Sequence, residues 1–335
     1  MEPDRKPLLT ILVPCHNEEA NLMNLYKVLD GFSRSSYAVD NKEEVVSIDM
    51  NELDMEFLFV DDGSKDATHQ LLETLRERDS RINVVSLSRN FGKENAMLAG
   101  MDFAQGDAVV IMDADLQDPI EVVPEMIYWW RKGYDDVYGK RIGRGKESWL
   151  RRRLSLSFYS LLKRMSEIDI LPNVGDFRLL DRKAVDSLRK LRETQRYTKG
   201  LYCWVGYKKK EVAFDRADRL AGKSNFNLLK LINLAVEGVT SYTTVPLRIS
   251  IIAGLIVSIL AFIYLLVMFT KTLIFGEKVT GYPSLMCVIL FLGGMQLLAL
   301  GIIGEYIGRI FNETKGRPPY VVESYNFKKG WSERI

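Results

Sequence analysis

Ala108-Val109-Val110-Ile111-Met112 runs directly into Asp113-Ala114-Asp115-Leu116-Gln117-Asp118-Pro119. The apolar half, rich in β-branched side chains, reads as a buried strand that the acidic stretch brings to an end. On an extended backbone, residues two apart share a side. Asp113, Asp115 and Gln117 would then aim oxygen donors at one point. Such hard donors suit magnesium or manganese, ions that take few protein ligands and keep positions open for phosphate oxygens. An Asp-x-Asp alone is a weak signal, since surface loops carry it by chance. Its place at a strand end gives it weight.

Toward the N-terminus the same pattern repeats. Leu8 to Val13 is an apolar run closed by Pro14, Met55 to Val60 ends at Asp61-Asp62-Gly63-Ser64, and Asn83 to Leu87 precedes Ser88-Arg89-Asn90. Glu18 to Phe32, with Leu22, Leu25, Tyr26 and Leu29 at helical spacing, reads as a helix, as do Asp66 to Arg78 and Lys93 to Ala104. Strands alternating with helices predict an α/β fold whose mostly parallel sheet is covered on both faces. Ligands on such sheets bind beyond the carboxyl ends of the strands. Here those ends carry His16-Asn17-Glu18, Asp61-Asp62, Ser88-Arg89-Asn90 and Asp113-Ala114-Asp115. One polar end is ordinary turn chemistry, but several on one edge predict a site. Ser36 to Asp54 breaks the rhythm; it is acidic, lacks a clear period, and is expected to be a surface insertion. No Gly-x-x-x-x-Gly-Lys loop and no Gly-x-Gly-x-x-Gly occur, which excludes a P-loop and disfavours a dinucleotide enzyme.

Composition narrows the chemistry further. The chain has 335 residues, 46 Lys+Arg against 44 Asp+Glu, and 47% apolar residues, which is a folded composition with ample core. Two histidines disfavour a zinc site or a histidine-based triad. Cys15, Cys203 and Cys287 are too scattered for a metal cluster or a disulfide framework, so a reducing compartment is expected. The balanced charge argues against nucleic acid as a general partner.

The C-terminal third differs in kind. Ile249 to Thr270 gives 22 residues without a charge, and Val279 to Gly304 gives 26 more. A bilayer core of roughly 30 Å needs about 20 helical residues, so both stretches predict membrane spans rather than buried core helices. Their short connection makes a hairpin with both ends on one side. The charged start, Met1 to Pro7, carries no apolar leader, and Arg248, Arg309, Lys315 and Arg317 flank the domain side, which places that side in the cytosol. Residues 225–245 are expected to form an amphipathic helix at the interface, and Trp149 to Met165 reads either as a second such helix or as an ordinary amphipathic helix packed on the sheet. Gly293, Gly294, Gly301, Gly304 and Gly308 permit close helix packing, within the hairpin or in a homo-oligomer. The expected domains are 1–224, 225–245 at the interface, 246–310 as the spans and 311–335 as a cytosolic tail.

Pro14-Cys15-His16-Asn17-Glu18, Val60-Asp61-Asp62-Gly63-Ser64, Ser88-Arg89-Asn90-Phe91-Gly92-Lys93 and Asp113-Ala114-Asp115-Leu116-Gln117-Asp118-Pro119 occur in that order. The set resembles family 2 glycosyltransferases of the GT-A fold. Within these it is similar to the polyprenyl-phosphate glycosyltransferases, a group spanning dolichyl-phosphate mannose synthases and bacterial bactoprenol glucosyl transferases. The two spans followed by Arg317-Pro318-Pro319-Tyr320 are similar to the bacterial branch. The resemblance covers nearly the whole chain and departs at Ser36 to Asp54. It implies inverting transfer of a hexose to polyprenyl (undecaprenyl) phosphate by a multi-pass enzyme of the plasma (inner) membrane, with UDP-glucose favoured as the donor over UDP-GlcNAc, UDP-galactose or a GDP sugar. By resemblance, Pro14, Asn17 and Glu18 would line the nucleotide pocket, with Asp61 and Asp62 near uracil and ribose. Arg89 and Lys93 would lie by the base and diphosphate, and Asp113, Asp115 and Gln117 would hold Mg2+ or Mn2+. Asp176, in Gly175-Asp176-Phe177-Arg178, matches a catalytic carboxylate, acting as a base or an orienting group. Arg141, Arg219, Lys223 and Ser224 match elements that handle the lipid phosphate.

The chemistry is consistent with those roles. A lipid phosphate is a nucleophile near neutral pH and needs cations more than a base. Two unit charges about 4 Å apart cost about 4 kcal/mol at an effective dielectric of about 20. Arg141, Arg144, Lys146, Arg151, Arg152 and Arg153 would offset that repulsion, arginine forks being suited to phosphate. A processive polysaccharide synthase of the same fold would carry a Gln-x-x-Arg-Trp signature, which Gln195-Arg196-Tyr197 does not match. A non-enzymatic lipid-carrier scaffold would have no need of the acidic group and Asp176.

Overall fold

A computed structural model describes residues 5–40, 44–142, 174–194, 196–215, 245–275, 281–326 and 328–329. They fall into two compact units. One holds the described residues up to 215 together with the C-terminal strands, and the other holds two long helices.

The first unit is an α/β domain. In chain order it comprises β1 (Leu8–Cys15), α1 (Glu19–Ser33), β2 (Ser36–Asp40), β3 (Val45–Asp49), β4 (Asp54–Asp61), α2 (Thr68–Arg78), β5 (Ile82–Leu87), α3 (Lys93–Phe103), β6 (Ala108–Ile111) and α4 (Val123–Arg131). Then come β7 (Asp136–Arg141), β8 (Val174–Asp181), α5 (Arg182–Leu188), α6 (Thr198–Trp204) and β9 (Lys209–Phe214). After the two long helices, α7 (Val245–Phe275) and α8 (Tyr282–Thr314), the chain adds β10 (Val322–Tyr325) and β11 (Lys328–Lys329). The main sheet runs β11-β10-β5-β4-β1-β6-β8-β7-β9. Its centre, β5-β4-β1-β6, is parallel, whereas β8 and β10 join antiparallel.

The centre is parallel because each strand returns through a helix, and both faces are therefore buried. Leu9, Ile11 and Val13 of β1 pack with Phe57 and Phe59 of β4 under α1 and α2. Leu12, facing the other way, packs with Leu58 and Val60 against Met97 and Met101 of α3. Each such side chain contributes about 1.5–3 kcal/mol on full burial. The strands and helices expected from the apolar runs are all present, their ends shifted by a residue or two.

The segment 36–54 is a correction. It is not aperiodic but a hairpin, in which Ser36 pairs with Asp49 and Asp40 with Val45. Val39 and Ile48 point into the core while their neighbours face out. The acidic residues serve its outer side; Glu44 accepts from Tyr128 Oη at 2.7 Å.

In the second unit, α7 and α8 are 31 and 33 residues long, with Leu255, Phe262, Phe291, Leu297 and Leu300 exposed. Among the described residues, Phe291–Thr314 is long and apolar enough to cross a membrane, and Ile252–Tyr264 is a shorter apolar stretch. The interfacial segments expected at 149–165 and 225–245 lie outside the described residues except Val245, the first residue of α7.

Candidate active site

The strand order reverses beside β1: the chain reaches β4 and β5 on one side and β6 on the other. That switch point leaves a crevice beyond the carboxyl ends of β1 and β6. A cavity of about 320 Å³ is found there, lined by Pro14, Cys15, His16, Glu18, Asp62, Asn90, Gly92, Lys93, Ala96, Asp113, Ala114 and Asp115. Pro14, Glu18, Asp62, Lys93, Asp113 and Asp115 were expected at a site from the sequence.

Asp62 shapes the cavity rather than reaching freely into it. Its carboxylate accepts from Phe91 N at 2.7 Å and from Gly92 N at 2.9 Å, which ties the loop after β5 to the end of β4. His16 Nδ1 donates to the Asp62 carbonyl at 2.9 Å and ties in the end of β1. Gly63 makes this crossing possible. Its φ is +62°, and a Cβ there would lie 2.4 Å from Arg89 C. Asp61 stands behind, buried, accepting from Ser64 N at 3.0 Å and lying 3.1 Å from His69 Nδ1. Asn17, in the left-handed region at φ 56°, accepts from Lys65 N at 2.8 Å. Arg89 is exposed and stacks on Phe91 at 4.1 Å. Asn17, Asp61 and Arg89 are thus beside the cavity, not among its lining.

The acidic end of β6 departs from the extended geometry. The strand stops at Ile111, and Asp115 Oδ1 accepts from Gln117 N at 3.2 Å across Leu116, whose φ is 57°. This turn keeps Asp113 and Asp115 on the cavity but buries Gln117, 3% exposed, off its lining. Among the described residues no three carboxylates, histidines or cysteines gather as a complete metal site. The donors present still fit a hard cation that relies on substrate phosphates for most of its ligands. Glu18, Asp113 and Asp115 share one wall, and burial, followed by the charges of Asp115 and Asp113, pushes the Glu18 carboxyl above its ordinary value despite a bond from Asn21. Such a surplus of negative charge calls for a cation. Cys15 is no nucleophile here, since burial first, then Glu18, Asp61 and Asp113, push its thiol well up.

Lys93 opens α3 and reaches Asp113 Oδ1 at 2.5 Å and Asp176 Oδ2 at 2.8 Å. Burial alone would lower its ammonium, but Asp176 and Asp113 outweigh that and hold it above the ordinary lysine range. Asp176, on β8, is 12% exposed. Burial would raise its carboxyl, yet Lys93, Lys199 and Arg178 hold it below the usual carboxylate range. Its Oδ1 is buried without a hydrogen-bond partner among the described residues. Beneath it Arg178 pairs with Asp136 at 3.0 Å and lies over the Tyr202 ring at 3.5 Å, fixing β8 against β7. Arg141, at the end of β7, is half-buried next to Gly175, and its Nε has no partner among the described residues. Arg219, Lys223 and Ser224 lie outside the described residues, as do Arg144, Lys146, Arg151, Arg152 and Arg153. His16 and Asn90, which the sequence marks only as polar residues at strand ends, line the cavity as well. Their place beside Asn17 and Arg89 at strand ends was the available signal.

Residues 10–189 match glycosyl transferase family 2, and residues 245–310 match the GtrB C-terminal hairpin. The uncharacterized glycosyltransferase sll0501 of Synechocystis is 44% identical over 94% of each chain. The prophage bactoprenol glucosyl transferase homolog of Escherichia coli is 44% identical over 94% of this chain and 98% of its own. Among solved structures, the mannosyltransferase PcManGT from Pyrobaculum calidifontis matches with 16% identity and a TM-score of 0.42, over 66% of this chain and 59% of that one, a likeness too distant to bear on the site. With the family 2 match across more than half its length, the chain belongs to glycosyl transferase family 2 and carries the GtrB-type C-terminal hairpin.

Proposed function

We propose that the chain transfers glucose from UDP-glucose to polyprenyl phosphate, with inversion at the anomeric carbon. One observation carries this reading: the ends of β1 and β6 and the start of α3 bring Glu18, Asp113, Asp115 and Lys93 to one cavity, with Asp176 paired to the same lysine. The names of the bactoprenol glucosyl transferase relatives support the sugar and the acceptor.

Asp113 and Asp115 are the residues that would hold Mg2+ or Mn2+, which would neutralise the diphosphate leaving group as a Lewis acid. Asp62 fixes the loop that closes the nucleotide side. Lys93 supplies a cation beside the phosphates and keeps Asp176 ionised. A carboxylate held below its usual range is a poor base, and a lipid phosphate needs none. Asp176 therefore orients a hydroxyl of the sugar through its unpartnered Oδ1. Arg141 supplies a guanidinium fork for the acceptor phosphate.

The acceptor's tail requires a bilayer, and the hairpin supports one. Both α7 and α8 exceed the about 20 residues a span needs. We assign both as spans, with the domain on the cytosolic side of the plasma membrane. The test is the full chain in lipid nanodiscs with radiolabelled UDP-glucose, undecaprenyl phosphate and Mn2+. Label extracted into organic solvent is expected. Label in water-insoluble polymer, or no transfer from any donor of a UDP- and GDP-sugar panel, would overturn the reading.

A further inference from the structure

Arg317-Pro318-Pro319-Tyr320 takes no part in the chemistry above, yet the segment it opens is tied to the cavity's frame. Tyr320 is 5% exposed, and its hydroxyl donates to Asp102 Oδ2 at 2.5 Å. Asp102 lies near the end of α3, the helix that begins with Lys93, and also accepts a fork from Arg192 at 2.6 and 2.8 Å. The next residue, Val321, accepts from Ser88 N at 3.0 Å. Ser88 is the first residue past β5 and opens the loop whose Asn90 and Gly92 line the cavity. That loop therefore has two anchors, the Asp62 carboxylate at Phe91 and Gly92, and the Val321 carbonyl at Ser88.

An edge strand needs cover whatever its function. β10 covers β5 along its length, with Val322 opposite Leu87 and Tyr325 opposite Val85, and Asn326 closes the far end, its N donating to Val84 O at 2.7 Å and its Oδ1 accepting from Val84 N at 2.8 Å. The near end does more than cover the edge, because past that ladder Val321 grips the loop and Tyr320 the helix on either side of Gly92.

We propose that Tyr320 and Val321 are positioning residues of the donor pocket, setting nucleotide affinity from a segment that follows both long helices in the chain. The proposal rests on the nucleotide-sugar reading above. It adds that the affinity is set partly by residues outside the family 2 region. Tyr320→Phe removes one hydroxyl and leaves Asp102 its arginine fork, so the fold is kept.

The test compares Tyr320→Phe with Asn326→Ala in the full chain in nanodiscs, by amide hydrogen exchange and by calorimetric titration with UDP and Mn2+. In Tyr320→Phe, exchange at Ser88, Phe91 and Gly92 should rise, and UDP affinity should fall about three- to tenfold, the scale of one buried hydrogen bond, with the acceptor KM unchanged. Asn326→Ala should loosen Val84 and leave both readouts at the loop unmoved. Wild-type exchange and affinity in Tyr320→Phe would overturn the proposal. Equal weakening in both variants, tracking their thermal stability, would overturn it as well. If the wild type binds no UDP, the nucleotide reading fails, and the exchange pattern still decides whether the segment holds the loop.

Discussion

Lys93 Nζ lies 2.8 Å from Asp176 Oδ2, joining the first turn of α3 to an antiparallel strand outside the parallel centre of the sheet. The same ammonium meets Asp113 at the end of β6. Elements far apart in the chain thus share one cation, and the acidic wall is neutralised on the side facing Asp176.

Removing that cation should disable the site without unfolding the domain. Lys93→Met strands Asp176, whose Oδ2 pairs with that lysine and whose Oδ1 is buried without a hydrogen-bond partner among the described residues. Loss of one preorganised charge at a reacting centre costs about 100- to 1000-fold in kcat. The radiolabel assay should show a fall of that size, with unchanged far-UV circular dichroism. Turnover within about threefold of wild type would remove Lys93 from the chemistry.

Asp62 predicts a combined effect on stability and donor binding. Asp62→Ala removes two hydrogen bonds to a charged group, those of the half-buried Phe91 and Gly92 amides, and leaves Gly92 N only its bond to Asn90 Oδ1. Such bonds contribute about 1.5–3 kcal/mol apiece. Chemical denaturation should show a loss of at least that size, and the KM for UDP-glucose should rise. Asp62→Asn keeps one acceptor oxygen and should fall between the two.

Two glycines separate space from backbone strain. Gly92→Ala adds a methyl where no atom lies within 4 Å, so it meets only the strain of φ +92°, about 1–3 kcal/mol. Gly63→Ala meets similar strain and also the backbone of Arg89 and Asn90 at 2.4 to 2.7 Å. Thermal unfolding should place Gly63→Ala clearly below Gly92→Ala. Equal midpoints would mean that the crossing of these loops is looser than described.

Much of the fold was legible because a strand covered on both faces is apolar throughout, and Leu8 to Val13 or Ala108 to Met112 cannot hide among polar neighbours. The hairpin at 36–49 escaped because, among its described residues, only Val39 and Ile48 are buried. The alternation was too short to stand out beside Val45, Val46 and the acids. The C-terminal strand escaped for another reason. Its partner is β5, and a pairing between distant segments leaves no local period. At the site, Glu18, Asp62, Asp113 and Asp115, polar residues singled out at strand ends, line the cavity, as does Lys93, singled out by the resemblance. The direction of Gln117 was not legible, because it depends on Leu116 taking a left-handed conformation that leucine seldom adopts.

That turn makes Asp115 and Gln117 a discriminating pair. Asp115 lines the cavity, and Gln117 is buried off it. Asp115→Ala should abolish metal-dependent transfer and weaken Mn2+ binding, read by electron paramagnetic resonance, while the chain still inserts into the membrane. Gln117→Ala should leave Mn2+ affinity within about twofold and lower thermal stability instead, since it removes a buried side chain and opens a cavity. Were Gln117→Ala to weaken Mn2+ as strongly as Asp115→Ala, the turn would have to open on metal binding and bring the amide back to the side of the carboxylates. The acidic end would then be a site formed by its ligand, and the geometry described for Leu116 would be one of two states of that loop.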